Sequence, residues 1–288
     1  AKVMGAKTSP PLDDEQEAME DLAGQARSDG ATLLSSGLEY TPGAFATAKE
    51  LVGLLRAMKS PLYMTHIRDE GPGLFSALKE AVIVARAARS ALHVSHLKLQ
   101  GKSNHGRAIE LKRFLVSEMG THPFSADVYP YHAYSTALSN LFPLDARTSL
   151  SALLQNLSAD PSALRSRVEA KVAEIGGWQQ IRFGVLYQKA QQNFQGKSID
   201  RLARERGMVP YELLCRTLLE ERGAGSMVAA AMLQEDVDEI MAFPFCSIAT
   251  DAAGQSRERL PGVHPRAYGS MPRFFQRMVS EQKRLSLA

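Results

Sequence analysis

The chain has 288 residues, 44% hydrophobic and 23% charged, which gives one domain a substantial core and leaves no apolar run long enough to cross a bilayer. Its 34 basic and 31 acidic groups leave a net charge of +3, with cations dispersed among acids, as in Arg201-Leu-Ala-Arg-Glu-Arg206. Neither nucleic acid nor a membrane is therefore the implied partner. The two cysteines, Cys215 and Cys246, are too few for a disulfide framework and fit a reducing compartment, the cytoplasm.

The opening Ala1-Lys-Val-Met-Gly has no initiator Met and no signal pattern. Leu12 to Arg27 has helical spacing with Asp13, Asp14 and Glu15 in its first turn, and reads as a surface helix. Strand-like runs then begin near Ala31, Pro61, Ala91 and His122, each followed by a loop and an amphipathic stretch. The helical stretches are Ala44 to Met58, Phe75 to Ala88 and Arg107 to Met119. Four successive strand-helix units predict a parallel α/β sheet. From Ser149 to Gly196 the pattern becomes leucine-rich helix followed by a Gln-rich run, and residues 141–197 read as an insertion.

Helices resume at Ser198 to Arg206, where Ser198 suits a cap, and at Pro210 to Glu221, where Pro210 suits a first turn. The short apolar run Ser226 to Met232 precedes a helix at Glu235 to Met241, and a last strand from Phe245 to Thr250 ends at Asp251. Ala252 to Arg266 is expected to be a long loop, with a final helix from about Arg273.

Two histidines close apolar runs one unit apart: Pro61-Leu-Tyr-Met-Thr-His66 and Ala91-Leu-His-Val-Ser-His96. Thirty residues is the length of a strand, a helix and the return to the next parallel strand, so the imidazoles would sit side by side. With Asp251 they offer two imidazoles and a carboxylate, ligand types that zinc favours. Each residue also has a plainer account, since strand-end histidines often bond backbone and an Asp after a strand often caps a helix. His93, three residues before His96, would face the other side of an extended strand and so reads as structural.

An open doubly wound sheet has similar units. Polar groups at successive strand ends, Ser35-Ser36, His66, His96 and Asp127 with Tyr129, favour a barrel, which would gather them at one mouth. No glycine-rich phosphate loop follows any strand.

The motifs Ser36-Gly-Leu-Glu-Tyr-Thr-Pro-Gly43, Thr65-His-Ile-Arg-Asp-Glu70, Ser95-His-Leu-Lys98, Asn104-His-Gly106, Ser125-Ala-Asp-Val-Tyr-Pro-Tyr131, Thr250-Asp251 and His264-Pro-Arg-Ala-Tyr-Gly269 occur in this order. Together they resemble the N-acyl-D-amino acid deacylases, or D-aminoacylases, of the amidohydrolase superfamily, from about Gly30 to the C-terminus. The resemblance implies a metal-dependent (β/α)8 TIM barrel, here incomplete and covering about strands 4 to 8. It also implies zinc, with hydrolysis of the amide of a small N-acyl-D-amino acid to a carboxylate and a free D-amino acid. By motif, His66 and His96 would be metal ligands on the fifth and sixth strands. Asp251, at the end of the eighth, would be the general acid/base beside the metal and a further ligand to it. Tyr129 would polarise the scissile carbonyl, Lys98 and Arg266 would lie near the substrate carboxylate, and Tyr40 and Ser135 would line the pocket. Glu39 and Glu70 are expected to hold loops, and Cys215 to sit in the core.

The family also uses a His-x-His pair and a cysteine ligand earlier in its barrel. This chain has no His-x-His, and Cys246, five residues before Asp251 on the opposite strand face, is a poor substitute. An internal fragment, inactive by itself, is the expectation. Two alternatives remain open: a cyclic-amide hydrolase of the dihydroorotase or hydantoinase type, disfavoured because Ala31 to Ser36 lacks a lysine, and a non-catalytic barrel remnant.

Overall fold

A computed structural model describes residues 2–5, 7–254 and 262–286 of the chain. Helix α1 (Asp13–Ser28) leads into strand β1 (Leu34–Gly37), α2 (Ala48–Ala57), β2 (Leu62–His66), α3 (Leu74–Ala88), β3 (Ala91–Val94), α4 (Ala108–Met119) and β4 (Phe124–Val128). The chain then leaves the sheet through β5 (Ala133–Ala137), α5 (Leu150–Ala159), α6 (Arg165–Ile175), β6 (Ile181–Phe183), α7 (Ile199–Glu205), α8 (Pro210–Glu220) and β7 (Ser226–Ala230). It returns through α9 (Gln234–Met241) to β8 (Cys246–Ile248), and α10 (Arg266–Phe274) follows.

The main sheet is parallel, in the order β1-β2-β3-β4-β8. Because the order never reverses, right-handed crossovers place every connecting helix on the same face. Accordingly α1 packs on α2, α2 on α3, α3 on α4 and α4 on α9. Tyr63, Thr65, Leu92, Val94, Ala126 and Val128 point into that helical layer and are buried. The alternate residues Met64, His93 and Ser125, joined by register, occupy the other face and are only partly covered. A doubly wound sheet would cover both faces with helices.

Local chemistry accounts for the element ends. Thr47 accepts the Glu50 amide at 3.1 Å and starts α2, so the stretch from Ala44 is a short 3-10 turn, Gly43–Phe45, followed by the helix. In α3, Leu74, Ala77, Leu78, Ala81, Val82 and Ala85 recur at three- and four-residue spacing and are buried. Ser198 caps α7 as expected, while α1 buries no residue, as befits a surface helix.

The expected last helix needs correction. The last helix begins at Arg266, not Arg273: the His264 ring accepts the Arg266 amide at 3.0 Å and satisfies an open helix N-H. Pro272 lies inside α10, which passes into a π-helical turn at Phe275–Glu281. The run at Ser226 is the central strand of a second, antiparallel sheet, β5-β7-β6. This sheet and α5 to α8 form an excursion between β4 and α9. Of the expected loop from Ala252 to Arg266, residues 255–261 lie outside the described residues. No helix among the described residues is long and apolar enough to cross a membrane.

Candidate metal centre and substrate cavity

His66 is the last residue of β2, and its register partner on β1 is Gly37. Thr65 pairs with Val94, which sets Ser95, not His96, in the row of His66. An extended His96 would thus turn toward the helices. Its backbone instead takes φ 41°, a left-handed conformation that side chains rarely adopt, and its amide donates to Asp127 Oδ1 at 2.7 Å. That turn brings the two rings together, with centroids 4.5 Å apart and His66 Nδ1 2.9 Å from His96 Nε2.

The alternation argument for His93 fails for the same reason, because His96 is not extended. His93 bonds Ser125 Oγ and Asp127 Oδ2, each at 2.8 Å, and ties β3 to β4 as a structural residue. Asp127 is therefore engaged by His93 and by the His96 amide. Ser36 turns to the hydroxyls of Tyr63 and Thr65, away from the histidine pair, whereas Asp127 meets His96 through its backbone amide. Cys215 is buried in α8, and Cys246 alternates with Ser247, which pairs with Asp127.

Each histidine uses its second nitrogen on charged neighbours. His66 Nε2 donates to Glu39 Oε2 at 3.0 Å, and His96 Nδ1 lies 2.9 Å from both Glu70 Oε1 and Lys98 Nζ. Lys98 also donates to Glu70 at 2.6 Å, and both side chains are buried. Glu39 and Glu70 touch the histidines directly, a contact their expected loop-holding role does not include. Burial opposes the charge on Glu70, but Lys98, His66 and His96 outweigh it and hold the carboxyl well below its usual range. Burial likewise opposes the charge on Lys98, and Glu70 holds the ammonium above its usual value.

The proton on His96 has two satisfied positions. On Nε2 it is donated to His66 Nδ1, with Lys98 donating to Nδ1. On Nδ1 it is donated to Glu70, and two ring lone pairs then face each other across 2.9 Å. The second arrangement is the donor set of a divalent cation, and facing imidazoles with carboxylates behind them fit zinc. Among the described residues, His66, Glu70 and His96 form a group whose ligand atoms all lie within 4.8 Å of one another.

Those side chains form one wall of a cavity of about 240 Å3, also lined by Tyr40, Tyr129, Tyr134, Ser135, Thr136, Asp251 and Arg266. The cavity thus collects all eight residues that the sequence singled out: His66, His96, Lys98, Tyr129, Tyr40, Ser135, Asp251 and Arg266. Asp251, with φ 46°, lies 2.5 Å from Arg266 Nη1 and outside the histidine-glutamate group. The Arg266 guanidinium stacks 4.7 Å from the centroid of the Tyr129 ring, and Lys98 lies 5.7 Å from it on the same residue. The Tyr129 hydroxyl is buried and has no hydrogen-bond partner. Burial raises its pKa, so it stays a proton donor at neutral pH.

Strand β5 supplies Tyr134, Ser135 and Thr136, and Thr136 lies 3.3 Å from the Tyr40 hydroxyl. His264 fastens α10 to this strand by donating Nε2-H to the Ala133 carbonyl at 2.9 Å. Glu39, Glu70, Gln100, Tyr134 and Thr136 lacked any assignment to the cavity from sequence. Only Glu39 and Glu70 had a signal, their place inside the quoted motifs.

In sequence and in fold the chain is similar to known amidohydrolases. No family model matches the chain. D-aminoacylase of Alcaligenes xylosoxydans xylosoxydans is 30% identical over 263 residues, covering 91% of this chain and 46% of that protein. A crystal structure of D-aminoacylase, described as defining a novel subset of amidohydrolases, superposes with a TM-score of 0.74 at 26% identity, over 99% of this chain and 52% of that one. N-acyl-D-glutamate deacylase from Bordetella bronchiseptica gives a TM-score of 0.73 at 26% identity with the same coverage. That enzyme was crystallised with zinc and a phosphonate that mimics the tetrahedral intermediate. The chain spans about half the length of the curated relatives it matches. Its resemblance to the D-aminoacylases extends over nearly all of its own length, in sequence and in fold.

Proposed function

We propose that this chain forms part of the active site of a zinc-dependent N-acyl-D-amino acid deacylase. The observation that carries the proposal is the pair of ring nitrogens 2.9 Å apart, beside a buried tyrosine hydroxyl with no partner. His66 and His96 would hold the ion, with Asp251 reaching toward it from the end of β8. A zinc ion there would supply a Lewis acid for the amide carbonyl. The Tyr129 hydroxyl donates to the same oxygen as negative charge develops on it. Asp251 takes a proton from the attacking water and returns it to the leaving amine. Arg266 orients the substrate carboxylate, with Lys98 contributing positive charge near the ring of Tyr129. Tyr40 and Ser135 line the space for the rest of the substrate. The products are a carboxylate and a free D-amino acid.

The unreversed strand order and the single helical layer support a barrel wall made of strands 4 to 8 of a (β/α)8 fold. In this proposal residues 1–288 form one partial barrel domain, and 141–197 is an insertion within the excursion that walls the cavity. A cyclic-amide hydrolase has less support, because Leu34–Gly37 brings no lysine to the site.

Replacing Asp251 tests the assignment in the intact protein. Asp251→Asn should lower kcat on N-acetyl-D-amino acids by about 10²–10⁴-fold, the contribution of a positioned acid/base. Unchanged turnover would remove Asp251 from the mechanism.

A further inference from the structure

We infer that Glu39 is a positioning residue for the metal centre, its carboxylate holding the His66 ring so that Nδ1 is the nitrogen left to bind the ion. The inference rests on the zinc site proposed above. Of the two proton arrangements open to His96, both leave His66 Nε2-H donating to Glu39 Oε2 at 3.0 Å, so the tautomer of His66 is the same in each. Nδ1 then faces His96 whether or not an ion lies between them.

The segment that carries Glu39 is fastened to the residue it orients. Just beyond β1, the Leu38 amide donates to the His66 carbonyl at 3.0 Å, which fixes the carboxylate's distance from the ring. The excursion holds it from the other side. Arg147 donates through both terminal nitrogens to the Glu39 carbonyl, at 3.3 and 3.2 Å. Lys171 of α6, anchored on the Asn140 carbonyl at 2.7 Å, places its ammonium 3.8 Å from Glu39 Oε1. Arg147 thus fixes the Glu39 backbone, and Lys171 faces one oxygen of its carboxylate while the other oxygen meets His66. An imidazole with its remote N-H on a carboxylate is both oriented and more basic as a ligand. The excursion therefore reaches the metal through Lys171, Glu39 and His66, as well as walling the substrate cavity.

The test is zinc affinity of the intact protein, measured by competition with a chromophoric chelator, together with the visible spectrum of the cobalt-substituted form. Glu39→Leu, which removes the acceptor, should weaken zinc binding about 10- to 100-fold and shift the cobalt bands. Glu39→Gln keeps an uncharged acceptor and should fall between Leu and the wild type. Lys171→Met should weaken zinc in the same direction by less than Glu39→Leu does. Wild-type affinity and an unshifted cobalt spectrum in Glu39→Leu would overturn the inference while leaving the zinc site standing. If that variant does not fold, wild-type affinity in both Glu39→Gln and Lys171→Met would overturn it equally. A wild-type protein that binds no zinc would overturn both the inference and the reading beneath it.

Discussion

At the scale of single residues, the cavity concentrates features that ordinary packing does not require. Tyr129 has two cations near its ring, yet its hydroxyl is buried without a partner. Leaving such a group unsatisfied costs about 1–3 kcal/mol, which substrate binding would offset by supplying an acceptor. Tyr129→Phe should therefore cut kcat by about 10²–10³-fold, the loss typical of one oxyanion donor, while the melting temperature stays within about 2–4 °C of the wild type. A stable variant with full activity would assign the hydroxyl no role in the reaction. His96 and Asp251 are further exceptions, since both adopt left-handed backbone conformations at roughly 1–3 kcal/mol each. The sequence revealed which residues to watch, through the thirty-residue spacing and the strand-end motifs. It did not reveal the turn at His96, because strict alternation assumes an extended chain and nothing in Val-Ser-His-Leu marks a positive φ.

At the scale of elements, the site depends on how α10 is attached to β5. His264 makes that link with both ring nitrogens, accepting from the Arg266 amide and donating to the Ala133 carbonyl, so it must be singly protonated. Burial, aided by the charge of Arg266, pushes its pKa down from 6.5 to about 4. A depressed histidine pKa stabilises the fold fully above the unfolded value, and that stability is lost as pH falls toward the folded value. Between pH 6.5 and 4 the wild type should lose up to about 3 kcal/mol of unfolding free energy from this group, at about 1.4 kcal/mol per pH unit. In His264→Gln, urea unfolding should be correspondingly less sensitive to pH in that window. Identical pH dependence in the two proteins would contradict this account of α10. The start of α10 was not legible in the sequence, because the cap that opens it comes from the side chain of His264, a residue type that does not usually mark a helix start.

At the scale of the molecule, a parallel sheet supplies the histidines and an antiparallel one closes the cavity over them. The first was legible because its strands recur about every thirty residues, although only three are followed directly by a helix and the fourth, β4, leads into β5. The second was not. Ile181–Phe183 has three residues, too few for a period, and its partner β7 lies more than forty residues further along the chain. Long-range pairing leaves little trace in local sequence, so the excursion read as helix and polar linker while its strands went unseen. Glu39 belongs to the same difficulty, because its neighbours Arg147 and Lys171 come from that excursion.

The most direct test of the account is the rate of amino-acid release from N-acetyl-D- and N-acetyl-L-amino acids by the zinc-loaded intact protein, repeated after chelation and zinc return. The account predicts hydrolysis of the D-series in preference to the L-series, lost on chelation and restored by zinc. Hydrolysis indifferent to zinc, or absent from every D-substrate in a protein that binds zinc, would contradict it.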